Sequence, residues 1–152
     1  MQDRVDYYFD QINKNDSLLL KLSEAGLDRF IEDELSFNAG CFLLQRSIGG
    51  CINLGIHIIT THGFPKPESY HNIFDILASQ KVIPEALAEK LKNVVSIRNQ
   101  LVNLDPQLNA LSIFNAIRHD LANIVAFEKH VLNWLRPPGV ERVKHENHGQ
   151  NR

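Results

Sequence analysis

The chain has 152 residues, 43% of them apolar and 22% charged, with 16 Lys and Arg against 18 Asp and Glu. That excludes a wholly disordered chain, a collagen and a membrane-embedded protein, and predicts one soluble domain. The formal net charge of −2 excludes a chain-wide cationic surface for nucleic acid, though not a local basic site.

The start, Met1-Gln2-Asp3-Arg4-Val5-Asp6, is acidic and polar where a signal peptide would be basic and then apolar. The longest apolar stretch, Ile48 to Ile59, is interrupted by Asn53 and His57 and is too short to span a bilayer. A cytoplasmic protein with no membrane association is the expectation. Cys41 and Cys51 lie on one helical segment, roughly 15 Å apart at 1.5 Å per residue, too far for a mutual disulfide. Two buried thiols are expected.

Apolar residues recur with helical period, and no segment alternates as a strand would. A first helix is expected over Asp3 to Ala25, with a possible break at Asn13-Lys14-Asn15-Asp16 and Gly26 ending it. Asp28 then caps a long second helix reaching Thr61, with Ile31, Leu35, Cys41, Leu44, Ile48, Ile52, Gly55 and Ile59 on its inner face. Gly49-Gly50 in its middle costs roughly 1 kcal/mol per glycine against alanine, which predicts a close helix contact or a kink. Thr61 to Pro67 is a loop, since Gly63, Pro65 and Pro67 do not continue a helix. A short helix covers Tyr70 to Ser79. Pro84 fits the first position of the next helix, which carries Leu87, Leu91, Val94, Val95, Arg98, Leu101 and Val102.

Asp105-Pro106 reads as the start of the last helix, Asp as cap and Pro as first residue. It runs to Leu135 with Leu111, Phe114, Ile117, Leu121, Ile124, Val131 and Leu135 on one stripe. Arg136-Pro137-Pro138-Gly139 stops it, and residues 136–152 read as a disordered tail. The expected fold is an all-α bundle of about five helices over residues 1–135, two of them long and antiparallel.

Chemistry concentrates in Ser96-Ile97-Arg98-Asn99-Gln100-Leu101-Val102-Asn103-Leu104-Asp105. Arg98, Asn99, Val102 and Asn103 lie on adjoining parts of one helical surface. A structural explanation is that Arg98 pairs with a carboxylate, Asn103 caps the helix end and Asp105 caps the next helix.

The chain also resembles the HepT-like proteins of the HEPN superfamily. Five segments carry the resemblance in order and spacing: 28–30, 52–59, 63–70, 82–84 and Arg98-Asn99-Gln100-Leu101-Val102. It implies a HEPN-type bundle that forms a homodimer around an RNA cleft. It also implies metal-independent endoribonuclease activity within a toxin–antitoxin module. The partner it implies is a minimal nucleotidyltransferase (MntA-like) antitoxin that adds AMP to a signature tyrosine. No cofactor or metal is implied. The signature is Arg-Asn, three residues, His, one residue, Tyr. Here Arg98 and Asn99 are present, Asn103 stands at the histidine position and Asp105 at the tyrosine position. Asn53 stands where the family often has an acid.

An amide does not exchange a proton near neutrality, and general acid–base catalysis is typically worth ~10²–10⁴-fold. The resemblance therefore implies a catalytically impaired RNA-cleft dimer that binds a nucleotidyltransferase. The alternative is an active endoribonuclease with altered acid–base residues. His57 and His119 are the candidate substitutes. His62, His71 and His130 read as surface residues. His145 and His148 lie in the tail.

Overall fold

The computed structural model describes residues 2–137, and these form six α-helices. They are α1 (Gln2–Glu24), α2 (Leu27–Glu32), α3 (Glu34–Thr61), α4 (Tyr70–Ser79), α5 (Glu85–Val102) and α6 (Ala110–Leu135). The expected tail lies outside the described residues from 138 onward. No strand occurs among the described residues.

Helix α1 runs without a break through Asn13 to Asp16. Gly26 follows it with φ +96°, a left-handed conformation in which a side chain would be strained. The expected second helix is two helices. Asp33 adopts an extended conformation, and its carboxylate accepts the Leu35 N–H at 3.1 Å and the Ser36 hydroxyl at 2.8 Å. That caps α3 and ends α2, so Asp33 is the cap, while Asp28 lies in the first turn of α2. The break changes the helical phase. Ile31 and Leu35, expected inside, are exposed, Leu35 at 80%.

Helix α3 is the core element. It packs on α1, α4, α5 and α6 and buries Leu44, Ile48, Cys51, Ile52, Leu54, Ile58 and Ile59. By length and composition it is apolar enough to cross a membrane, but half of its most apolar stretch is buried inside the bundle. Gly50 explains the expected close contact: a Cβ there would meet Ile12 Cγ1 of α1 at 2.5 Å. There is no break in the helix. Phe30, Phe114 and Phe127 are buried, and Phe30 and Phe114 pack with ring centroids 5.4 Å apart. Burying such a ring is worth about 1.5–3 kcal/mol. Cys51 is buried and Cys41 half-buried, both free. Burial raises both thiol pKa values, so neither is a reactive thiolate at neutral pH.

Helices α4 and α5 pack on each other. Pro84 is the cap of α5 and not its first residue. Helix α6 starts five residues after Asp105, at Ala110. Its cap is Asn109, which exchanges hydrogen bonds with Ser112 in a complete capping box. Leu111, expected on the inner stripe, is half exposed.

Two carboxylates are buried where α1, α3 and α6 meet. Asp16 of α1 and Glu128 of α6 are only 7% and 6% exposed. Ser47 of α3 donates to Asp16 Oδ1 at 3.2 Å.

Candidate functional site

The site is built at the end of α5. Helix α5 terminates in a Schellman turn: Asp105 N–H donates to Gln100 O at 3.1 Å and Leu104 N–H to Leu101 O at 3.3 Å. Leu104 takes the left-handed position with φ +53°, where glycine is the usual residue. Asn103 is the last capping residue of α5, exposed, its N–H on Asn99 O. Asp105 is half-buried just past the turn. Its carboxylate accepts Gln107 N–H at 2.9 Å and the Gln100 amide at 3.5 Å. Asp105 thus closes the connection to α6 and does not cap α6.

Arg98 has no carboxylate partner among the described residues. Its guanidinium lies over the Tyr70 ring, 5.1 Å from the centroid. No hydrogen bond or ion pair to its N–H groups occurs among the described residues, so they can meet a bidentate anion such as a phosphate. Tyr70 is the first residue of α4, and Ser69 caps that helix by accepting Asn72 N–H at 3.0 Å. Further along, Asp75 pairs with Lys92 at 3.0 Å. Between them His71 Nε2 lies 3.1 Å from Ser96 Oγ. Three successive ties therefore fix the start of α4 against the half of α5 that carries Arg98.

Ser96, Asn99 and Asn103 are spaced three and four residues apart and so share one face of α5. Asn99 and Asn103 thus share a face near the end of α5, Arg98 projects from another side of the same turns, and Asp105 lies beyond the turn. Asn53 is exposed on α3, and no hydrogen bond among the described residues joins it to α5. His57 is half-buried and packs edge-on against Tyr8 of α1, ring centroids 6.0 Å apart. Burial lowers its pKa, and the charge of Arg4 adds to the shift. His119 is exposed on α6. His62 is exposed but packs against Trp134 at 4.7 Å. Neither His57 nor His119 has a contact with Arg98 among the described residues. His145 and His148 lie outside the described residues.

His71, read from sequence as a surface residue, is half-buried and tied to α5. Its partner lies on a separate helix, so no local spacing marks it. The same holds for Tyr70.

Known proteins share this architecture. A tri-AMPylated HEPN toxin from Shewanella oneidensis, solved in complex with an MNT antitoxin, superposes with a TM-score of 0.79. The alignment covers 86% of this chain and 98% of that one at 23% identity. YutE of Bacillus subtilis, a cytosolic protein of unknown function, superposes with a TM-score of 0.64, covering 85% of this chain and 93% of its own at 23% identity. In sequence, the mRNA nuclease HepT of Shewanella oneidensis is 30% identical over 84 residues, 55% of this chain and 63% of that protein. The family described as ribonuclease HepT-like matches residues 12–131, from the middle of α1 to the last turns of α6, with the whole α5 site inside the match. The chain belongs to the HepT-like family.

Proposed function

We propose that the chain is the toxin-side protein of a toxin–antitoxin module, a cytoplasmic homodimer whose paired α5 ends form an RNA cleft. A minimal nucleotidyltransferase antitoxin is its partner, and its RNA cleavage is impaired. The observation that carries this reading is Arg98, held over the Tyr70 ring with no carboxylate partner among the described residues, next to Asn99 in the chain. An arginine in that state is a phosphate site waiting for its anion. The impairment follows from Asn103, which offers no titrating group at the place where the family signature has histidine. The direct test is binding of a fluorescent single-stranded RNA oligonucleotide. Arg98→Ala should weaken it at least ~10-fold, the lower end for a charge-assisted hydrogen bond of about 1.5–3 kcal/mol. Unchanged affinity would remove the cleft from α5.

The dimer face fits α3. Leu35, Phe42 and Ile56 are exposed on it, Phe42 at 58%, in line with Gly49 and Asn53. A Cβ built on Gly49 meets nothing within 4 Å, so a second copy can approach the helix closely there. With Leu111 and Leu132 of α6 also exposed, a two-fold contact through α3 and α6 would cover an apolar surface that is large for a monomer of this size. Sedimentation at micromolar concentration should give a mass of twice 17.3 kDa. A single 17.3 kDa species would sink the dimer.

The antitoxin should bind without marking the signature position. Asp105 has no phenol, and its carboxylate is engaged by Gln107 and Gln100. Incubation with a minimal nucleotidyltransferase and ATP, followed by intact mass, should show the unmodified chain. An adduct on Tyr7, Tyr8 or Tyr70 would reveal another acceptor, and one on Asp105 would overturn the chemical reasoning.

The second reading is an active endoribonuclease with a different acid–base group. The observation that favours it is His71, whose imidazole is tied to the same helix as Arg98.

A further inference from the structure

We propose that the pocket between α1 and α6 binds an alkylammonium group, its aliphatic stem along the apolar walls and its charge against Asp16 and Glu128. The site is separate from the α5 end and independent of the function assigned there.

The pocket is built from one face of each helix. Asn13, Asp16, Ser17 and Leu20 follow an i, i+3, i+4, i+7 spacing on α1, and Leu121, Val125 and Glu128 an i, i+4, i+7 spacing on α6. Together they line an open cavity of about 320 Å³. Asn13, Ser17 and Leu20 are exposed, whereas Asp16 and Glu128 are buried. The first three therefore mark the mouth, and the two acids the inner end. Leu20, Leu121 and Val125 supply apolar walls between them.

The inner end carries a charge that the chain itself does not neutralise. The two carboxyl groups are in hydrogen-bond contact with each other, which requires one proton between them. Carboxylates in contact do not both ionise near neutrality, and two that hold one proton keep one negative charge. Ser47 donates to Asp16 Oδ1 at 3.2 Å, and neither acid has an ion pair among the described residues. Asp16 Oδ2 and Glu128 Oε1 are buried with no other donor than the shared proton. The negative field reaches Cys51 of α3, whose thiol pKa both acids help to raise, so that thiol is neutral and brings no counter-charge. Lys129, next to Glu128 in the chain, lines a neighbouring groove with Arg118 instead. A buried charge ordinarily has a counter-ion, and the pocket is the open path to this one.

The lining selects the kind of cation. No group of three or more metal-ligating side chains occurs among the described residues, which disfavours a metal ion. Apolar walls leading to a buried charge suit a chain of methylenes with a charged tip, as in a lysine side chain. An ammonium is compact, carries three donors and is charged at neutral pH. Two sources present that chemistry, a lysine of a partner protein and a free polyamine.

The test titrates the full chain with n-butylamine at neutral pH and follows its backbone amide NMR spectrum. Saturable shifts around residues 13–20 and 121–128 are expected, with a dissociation constant in the millimolar range typical of so small a ligand. The uncharged n-butanol should bind at least ~10-fold more weakly, the effect of one charge-assisted hydrogen bond. Asp16→Asn with Glu128→Gln keeps the size of both side chains, removes the charge and should weaken n-butylamine by the same factor. Should that variant not fold, Leu20→Lys decides. It places an ammonium at the exposed mouth, one turn from Asp16, and should also weaken n-butylamine at least ~10-fold, whereas Leu20→Met should not. Tighter binding of spermidine than of Nα-acetyl-lysine methylamide would assign the pocket to a free polyamine, and the reverse to a lysine of a partner protein. The proposal is overturned by equal responses to n-butylamine and n-butanol, by shifts that do not saturate or lie elsewhere, by unchanged affinity in the folded double variant, or by equal losses in Leu20→Lys and Leu20→Met.

Discussion

Restoring the family signature with Asn103→His and Asp105→Tyr is expected to raise RNA cleavage at least ~10²-fold, the low end for general acid–base catalysis. One functional group decides the size of the effect. Arg98 has no carboxylate partner among the described residues, and Asn99 lies on the same face as residue 103. An imidazole at 103 would add a group that titrates near neutrality, one turn from Asn99. Asn103 is exposed at the end of α5, so a larger side chain there meets no core. The Asp105 change removes a carboxylate that repels a phosphate, but it also removes the acceptor for Gln107 N–H. A loss of about 1 kcal/mol in stability is expected from that bond. The single change Asn103→His separates the two contributions. Arg98→Ala in the restored protein should abolish the gain. A restored protein no faster than the parent would show that α5 is not where the chemistry lies.

The all-helical class and the positions of α1, α4 and α5 were legible because their apolar periods are continuous and their ends carry Gly26, Ser69 and Pro84. Two boundaries were misread for a shared reason, that a side-chain cap competes with a stronger-looking signal. Asp33 sits between Glu32 and Glu34 in a run that reads as helix. Its pairing with Ser36, three residues on, was the available sign of a cap. Asp105-Pro106 is a textual start for a helix, yet Asn109 and Ser112 form the reciprocal box that begins α6. The missed break at Asp33 explains why Leu35 was placed inside: helical phase does not carry across an extended residue. Within the site, Arg98, Asn99, Asn103 and Asp105 were legible as neighbours because one helix end holds them. Tyr70 and His71 were not, since they reach α5 from another element. The buried acids were hidden in the same way, Asp16 on the first helix and Glu128 on the last.

That acid pair makes the second large prediction. Asp16 Oδ2 and Glu128 Oε1 are buried and have no donor among the surrounding side chains. A proton held between the two carboxyl groups satisfies both oxygens at once. Burial raises the Glu128 pKa to about 9, with the Asp16 carboxylate adding to it, and burial also raises that of Asp16. In the unfolded chain Glu128 titrates near 4.5. Between these values the folded state binds a proton that the unfolded state has released, so stability falls as pH rises from about 5 to about 9. One such proton gives a slope of about 1.4 kcal/mol per pH unit. Asp120, with its pKa raised by burial to about 6 despite the neighbouring His119, adds to the decline at the acid end of that range. Glu128→Gln places a permanent amide donor opposite Asp16 and removes the titration. Urea unfolding at pH 5, 7 and 9 should show the parent losing stability steadily toward alkaline pH and the variant losing much less above pH 6. The variant should therefore be the more stable protein at pH 9. Glu128→Ala should be destabilised at every pH, because it leaves Asp16 buried with only Ser47 as its donor. Equal slopes for parent and Glu128→Gln would mean that no proton is shared between α1 and α6.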